Sequence, residues 1–285
     1  MNVLSLFDGM SCGQIALNKL DIKIDNYFAS EVDKYAIQIA KKNHPNTKHI
    51  GDVTKVDASE LPKIDLLIGG SPCQGFSFAG KQLNFNDPRS KLFFEFVRLW
   101  KETKPKYFLL ENVRMKQESQ DVISSILGVE PIEINSALVS ATARKRLHWT
   151  NIPNVQQPAG SSLVLADVLE DLPFDRPCTP RACTYKSDCY HVATVSDVKG
   201  NESIKRVYCP TGKAPTLTTM TGGHREPKVT LCGNMYRKLT VLEMERLHAA
   251  PEGYTQGVSK TQAKKMLGNG WQVDTIAHIF KNIAL

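Results

Sequence analysis

At 285 residues with a net charge of +7, the chain can form one large domain or two unequal ones, and its basic balance suits a polyanionic partner. Hydrophobic residues at 41% and charged residues at 23% are ordinary for a soluble globular protein. No apolar run approaches the roughly 18–20 residues of a membrane span, no signal-peptide pattern opens the chain, and the seven cysteines are an odd, scattered set. A membrane protein and a disulfide framework are therefore excluded, and a reducing, cytoplasmic setting is expected.

The first 150 residues alternate short apolar runs with helical patterns. Strands are predicted over 2–8, 25–32, 48–53, 64–70, 106–112 and 131–138. Helices are predicted over 33–44 and 90–102, where apolar residues recur at three- and four-residue spacing. This alternation predicts an α/β fold, a doubly wound and mostly parallel sheet covered on both faces, with ligands at the carboxyl ends of its strands. Asp8, Glu31, Asp52, Cys73 and Glu111 all fall at or just beyond such ends.

FDGMSCG (7–13) follows the first strand and opens a helix, whose free N–H groups favour a carboxylate or phosphate. Glu31 is placed to accept hydrogen bonds from a ribose, and Asp52 from an adenine amino group. Taken singly, each acid could equally cap the helix that follows it. Together the three positions describe a pocket for a nucleoside with a carboxylate-bearing tail. Further on, the run IDLLIGG (64–70) opens through Ser71-Pro72 onto Cys73. Flanking glycines and a proline present this thiol on a loop, which is not where a buried structural cysteine belongs.

From about residue 153 prolines, glycines and polar residues multiply, and helical periodicity ends after LADVLEDL. Residues 176–240 hold eleven Lys or Arg against four Asp or Glu, a local excess equal to the net charge of the whole chain. Such segregation predicts a polyanion-binding module. Cys178, Cys183 and Cys189 lie near His191, but their spacings are not those of a CxxC pair, so no metal is expected. Helical patterns over 241–250 and 271–285 close the chain.

FDGMSCG, GGSPCQGFS, ENV (111–113), the paired-arginine RKR (144–146) and LGNGW (267–271) occur in that order. With them the chain resembles the DNA cytosine-5 methyltransferase family over nearly its whole length except about 153–205. MERLHAAPEGYT ahead of KKMLGNGWQVDTIAHIF is most similar to the de novo branch known from animals, whereas the compact length is typical of a bacterial or phage enzyme. The resemblance implies a class I S-adenosylmethionine-dependent methyltransferase fold, with 1–152 as catalytic domain completed by 239–285 and a target-recognition region over 153–238. It implies S-adenosylmethionine as cofactor, S-adenosylhomocysteine as product and no metal. Double-stranded DNA is the implied partner, with a cognate restriction endonuclease as a possible second one and no membrane.

Residue by residue, the resemblance makes Cys73 the nucleophile that adds to C6 of a flipped cytosine. A thiolate suits that role because it attacks strongly and leaves again by elimination. Glu111 would serve N3 of the ring, Arg146 its O2, and Arg144 the active-site loop or the sulfur. Arg144 and Arg146 alternate along a strand-like segment, which puts them on one face. The family's glutamine and polar residue ahead of the first arginine are Thr142 and Ala143 here. Phe7, Asp8, Gly9, Ser11, Glu31, Val32, Asp52, Val53, Pro72 and Leu92 would line the cofactor, with Asn269, Gly270 and Trp271 completing the pocket. Gln74 with Ser77, Lys81 and Arg89 of the loop 75–91, and Thr218, Thr219, Arg225 and Lys228 of the segment 213–228, would contact DNA. Three alternatives stay open: a catalytically silent DNA-binding accessory relative, the same chemistry on tRNA, and a nicotinamide-dependent oxidoreductase. The tRNA branch carries a CFT tripeptide that is absent here, and the oxidoreductase leaves SPCQ unexplained.

Overall fold

The computed structural model describes residues 1–71, 88–184, 188–220, 222–231 and 234–284, with the backbone alone at 88–90 and 184. The chain packs as two compact units. The first comprises Met1–Ile134, Lys145–Gln157 and Ile276–Leu285, the second Asn135–Arg144 and Pro158–Thr275. By packing, residues 239–275 group with the basic region, whereas the sequence reading joined 239–285 to the catalytic domain.

The first unit is built on a seven-stranded sheet. Its strands are β1 (Asn2–Leu6), β2 (Asn26–Ser30), β3 (Lys48–Gly51), β4 (Leu66–Gly69), β5 (Tyr107–Val113), β6 (Ile132–Asn135) and β7 (Lys145–Thr150), in the order β3-β2-β1-β4-β5-β7-β6. Strands β3 to β5 pair in parallel, and β7 runs antiparallel to β5. The helices α1 (Cys12–Lys19), α2 (Lys34–Asn43), α3 (Pro88–Thr103) and α4 (Gln117–Leu127) intervene along the chain. The doubly wound α/β architecture expected from alternation is thus the observed one. Val3, Leu4 and Leu6 of β1 and Leu66, Leu67 and Ile68 of β4 are all buried, as covering on both faces requires. Phe93, Phe96 and Leu99 of α3 and the buried Trp149 join that core.

The chain starts at β1, winds to β2 and β3 on one side, then crosses to β4 and β5 on the other. Ligand sites in open α/β sheets lie at that reversal, beyond the carboxyl ends of the strands. Register aligns those ends: Leu6 pairs with both Ser30 and Gly69, and Gly69 with Leu110. The next residues along the chain are Phe7, Glu31, Gly70 and Glu111.

The second unit carries a six-stranded sheet that the change of texture did not predict. Its strands are β8 (Arg176–Pro177), β9 (Thr179–Thr184), β10 (His191–Thr194), β11 (Arg206–Tyr208), β12 (Lys228–Val229) and β13 (Met235–Lys238), in the order β8-β13-β12-β11-β10-β9. Strands this short carry too few alternations to stand out in a sequence. Helices α5 (Glu202–Lys205), α6 (Val241–Leu247) and α7 (Lys260–Asn269) belong to this unit, and α8 (Val273–Phe280) follows them along the chain. Helices α4 and α7 were not foreseen, and LADVLEDL yields only a short 3-10 turn over Leu165–Val168. The predicted strand 131–138 ends at Asn135, where the Asn135 side chain accepts from Ala137 N–H and opens a turn. Among the described residues, no helix is long and apolar enough to cross a membrane.

Candidate active site

The turn after β1 is built from left-handed backbone: Phe7, Gly9 and Ser11 have φ of 56°, 59° and 65°. Two non-glycine residues in that region mark a tightly determined loop, and such strain concentrates at functional sites. Asp8 holds it from within. Its carboxylate accepts from Ser5 Oγ (2.6 Å), Tyr27 Oη (2.8 Å) and Ser11 Oγ. Burial lifts the Asp8 carboxyl to about 6, against the hydroxyl bonds that favour its charge.

Glu31 ties this turn to the end of β2. Its Oε2 accepts from Gly9 N–H (2.8 Å), and its Oε1 from Val32 N–H (2.7 Å) and Asp33 N–H (2.8 Å). A carboxylate has about four lone-pair sites, so capacity remains for a ribose hydroxyl. Val32 beside it is 72% exposed, which leaves an apolar side chain free to lie against a base. At the end of β3, Asp52 accepts from Thr54 N–H (3.0 Å) and Thr54 Oγ1 (2.9 Å), both on Oδ1. The backbone bond is the main cause that holds its carboxyl below the usual range. Asp52 therefore caps the short turn that follows it, whereas α2 is capped by Asp33 and Glu31 binds the turn ahead of that helix; both Glu31 and Asp52 stand at strand ends. The Val53 side chain beyond Asp52 is buried in the core. Phe7 and Leu92 are partly buried against the same core.

Glu31→Ala is expected to weaken S-adenosylmethionine binding by roughly 1–3 kcal/mol, through loss of a charged acceptor. Calorimetry on the folded variant checks this, and unchanged affinity would remove Glu31 from the pocket.

On the other side of the reversal, β5 delivers Glu111. In the β5–β7 ladder Glu111 faces His148 and Val113 faces Arg146, and residues directly opposite project to the same face. Arg146 reaches diagonally, placing Nε 3.0 Å from Glu111 Oε1. His148, which the sequence reading did not single out, is buried with Nδ1 3.3 Å from the Ile132 carbonyl. Burial holds its imidazole below the usual value, with the Glu111 charge pulling the other way. The R-x-R-x-H alternation over 144–148 was the available signal. Asn112 was also passed over. Its Nδ2 donates to Ser71 O (3.3 Å) and Ser71 Oγ (3.4 Å), which ties the end of β5 to the chain just ahead of Pro72-Cys73.

Pro72, Cys73, Gln74, Ser77 and Lys81 lie outside the described residues, as does the Arg89 side chain. Arg144 does not share the partners of Arg146. It precedes β7 and belongs to the second unit, where its buried guanidinium donates to Leu217 O (3.3 Å), Gly268 O (3.4 Å) and Gly270 O (2.9 Å). A cation on these carbonyls suits the C-terminus of α7. Asn269 ends that helix, and the Trp271 carbonyl accepts from His248 (3.1 Å).

In the basic region the structure sorts the charges. Thr218 and Arg225 are exposed, as DNA contact requires. Lys228 is not: it is 2% exposed, and its Nζ donates to Ile204 O (2.7 Å), His224 O (2.8 Å) and Glu226 O (3.2 Å). Burial brings its ammonium down to about 8. This lysine fastens a loop and is withdrawn from the phosphate contacts expected of it. Arg237 is spent on a buried pair with Glu243 (2.6 Å), and Lys213 on the carbonyls of Ser140 and Ser161 (3.0 Å each). The local charge excess thus overstates what faces solvent.

Glu226 anchors the same region. Burial opposes its ionisation, but its own backbone N–H and the ammonium groups of Lys238 and Lys264, each 3.2 Å away, outweigh this and bring it down to about 2. A carboxyl depressed from 4.5 in the folded state stabilises fully above 4.5 and loses that contribution as pH falls towards 2. Wild type should therefore lose about 1 kcal/mol more than Glu226→Gln between pH 6 and 2.5. Melting curves across that range give the comparison, and parallel curves would sink the assignment.

The sequence pattern of the C-5 cytosine-specific DNA methylases matches residues 1–127 and 140–285. The chain belongs to that family. The unmatched residues span β6 at the sheet edge and the turns beside it. This DNA cytosine-5 methyltransferase is 31% identical to the type II methyltransferase M1.ScrFI of Lactococcus lactis subsp. cremoris, over 96% of its own length and 75% of that protein. It is 43% identical to the orphan methyltransferase M.Rho11sI of Bacillus phage rho11s, over 81% and 69%. Among solved structures, the Entamoeba histolytica methyltransferase EhMeth shares the fold with a TM-score of 0.77 at 16% identity, covering 99% of this chain and 97% of that one. The S. pombe Dnmt2 methyltransferase does so at 0.74 and 18%, covering 98% and 97%. As a family member the enzyme methylates cytosine C5 in DNA.

Proposed function

We propose that catalysis runs through Cys73, Glu111 and Arg146, with the cofactor held at Gly9, Glu31, Val32 and Asp52. The observation that supports this most is the Asn112–Ser71 contact. It joins the residue next to Glu111 to Ser71, which ends the described chain two places before Cys73 in the sequence. The cofactor residues fit a nucleoside, with two carboxylates at adjacent strand ends and an exposed apolar side chain beside one of them. When bound, S-adenosylmethionine supplies an electrophilic methyl group. The Cys73 thiolate adds to C6 of the extruded cytosine, which raises electron density at C5. Glu111 meets the charge that develops at N3, and Arg146, 3.0 Å from its carboxylate, holds that group in place. Once C5 has been alkylated and has lost its proton, the C6–S bond breaks and the thiolate is regenerated. Bisulfite sequencing of DNA from cells that express the chain tests the reading. Methylated cytosines in one sequence context are expected, and unmodified DNA would overturn it.

A further inference from the structure

The second unit has a cleft of about 570 Å³ among β9, β10 and β11. Arg181, His191, Glu202, Arg206, Tyr208 and Thr216 are among the residues that line it. Two features show that it is a constructed site. The pairing of β10 slips between His191 and Ala193 against both of its neighbours, and bulges of this kind re-aim side chains beside functional sites. His191, the paired residue next to that slip, is 8% exposed, and its partners set its tautomer. Its Nε2 lies 2.9 Å from Ala193 O and must carry the hydrogen, which leaves Nδ1 as an acceptor for Arg181 Nη1 at 3.3 Å. Burial, and then the Arg181 charge, hold the imidazole below its ordinary value and keep it neutral. Glu202 Oε1 stands 3.4 Å from the same guanidinium nitrogen. One edge of Arg181 is thus held from two sides, and the group remains 40% exposed.

A guanidinium held in this way is organised for an acceptor pair in a plane. DNA offers two such pairs, phosphate oxygens and the O6/N7 edge of guanine. Glu202 offsets the charge of Arg181, with Arg206 also lining the cleft, so the geometry of the fork more than its charge sets what it takes, which favours guanine. We propose that Arg181 is a specificity-determining residue that reads a guanine in the target sequence, with His191 and Glu202 as its positioning residues. This rests on the reading that the basic region faces DNA.

The test is methylation of a DNA library randomised around one cytosine, by wild type and by Arg181→Ala and Arg181→Lys. Wild type should require guanine at one position. Both variants should accept other bases there, with discrimination reduced about 10- to 100-fold and the salt dependence of binding nearly unchanged. Lysine keeps the charge and loses the fork, so its failure to restore discrimination marks bidentate reading. A uniform loss on every sequence, with a salt slope shallower by about 0.9, would make Arg181 a phosphate contact and overturn the proposal. An unaltered pattern, or a wild type without sequence preference, would overturn it as well. Covalent trapping through Cys73 reports separately on the catalytic reading.

Discussion

Cys73→Ser is expected to transfer no detectable methyl group, a loss on the order of 10⁴-fold or more, as removal of a nucleophile produces. Serine nearly matches the volume of cysteine, so cofactor and DNA binding should persist. What changes is the nucleophile. A free thiol has a pKa of about 8.5 and supplies some thiolate near neutrality, whereas a hydroxyl does not ionise there. The decisive measurement uses DNA with fluorine at C5 of the target cytosine. After alkylation the fluorine cannot depart as a proton does, elimination stalls, and the C6–S bond persists. Wild type with cofactor should give a protein–DNA complex that survives denaturing electrophoresis, and Cys73→Ser should give none. Trapping that survives in the serine variant would assign the nucleophile to another cysteine. A wild type that methylates but cannot be trapped would refute addition at C6.

Gly268→Ala is expected to cost about 3 kcal/mol or more, and thermal unfolding near 10 °C lower. Gly268 lies within α7 with its Cα against a crossing backbone. A Cβ there would sit 2.0 Å from Thr218 O, 2.2 Å from Thr218 C and 2.5 Å from Thr219 N. These are main-chain atoms, so no rotamer change relieves the clash. Neither partner yields easily, because Arg144 binds the carbonyls of both Leu217 and Gly268. The displaced segment carries Thr218 and Thr219, so DNA affinity should fall together with stability. A melting temperature within a degree of wild type would show that the close approach is not maintained in solution.

These two sites differ in how they could be known. The parallel sheet and the ends of β1, β2, β4 and β5 were legible because buried parallel strands leave continuous apolar runs, and chemistry sits where those runs stop. Glu31, Asp52 and Glu111 were placed at strand ends in that way, and the structure has them there, while Cys73 lies outside the described residues. Both hydrophobic period and strand-end position are local properties of a chain. The partners of each charge are not. Nothing in KAPTLTTMTGGHREPK distinguishes Arg225, which is exposed, from Lys228, which is buried on three carbonyls. Nor does RKR show that its first arginine holds the end of α7 while its second meets Glu111. Burial of a cation is decided by acceptors that arrive from elsewhere, here Ile204, Gly270 and the end of β5. The strands of the second unit escaped for a related reason, since runs of two to six residues are held by their ladder neighbours more than by their own pattern. Local periodicity determined where the chemistry could sit in this enzyme, and contacts between distant residues decided which side chains are free to perform it.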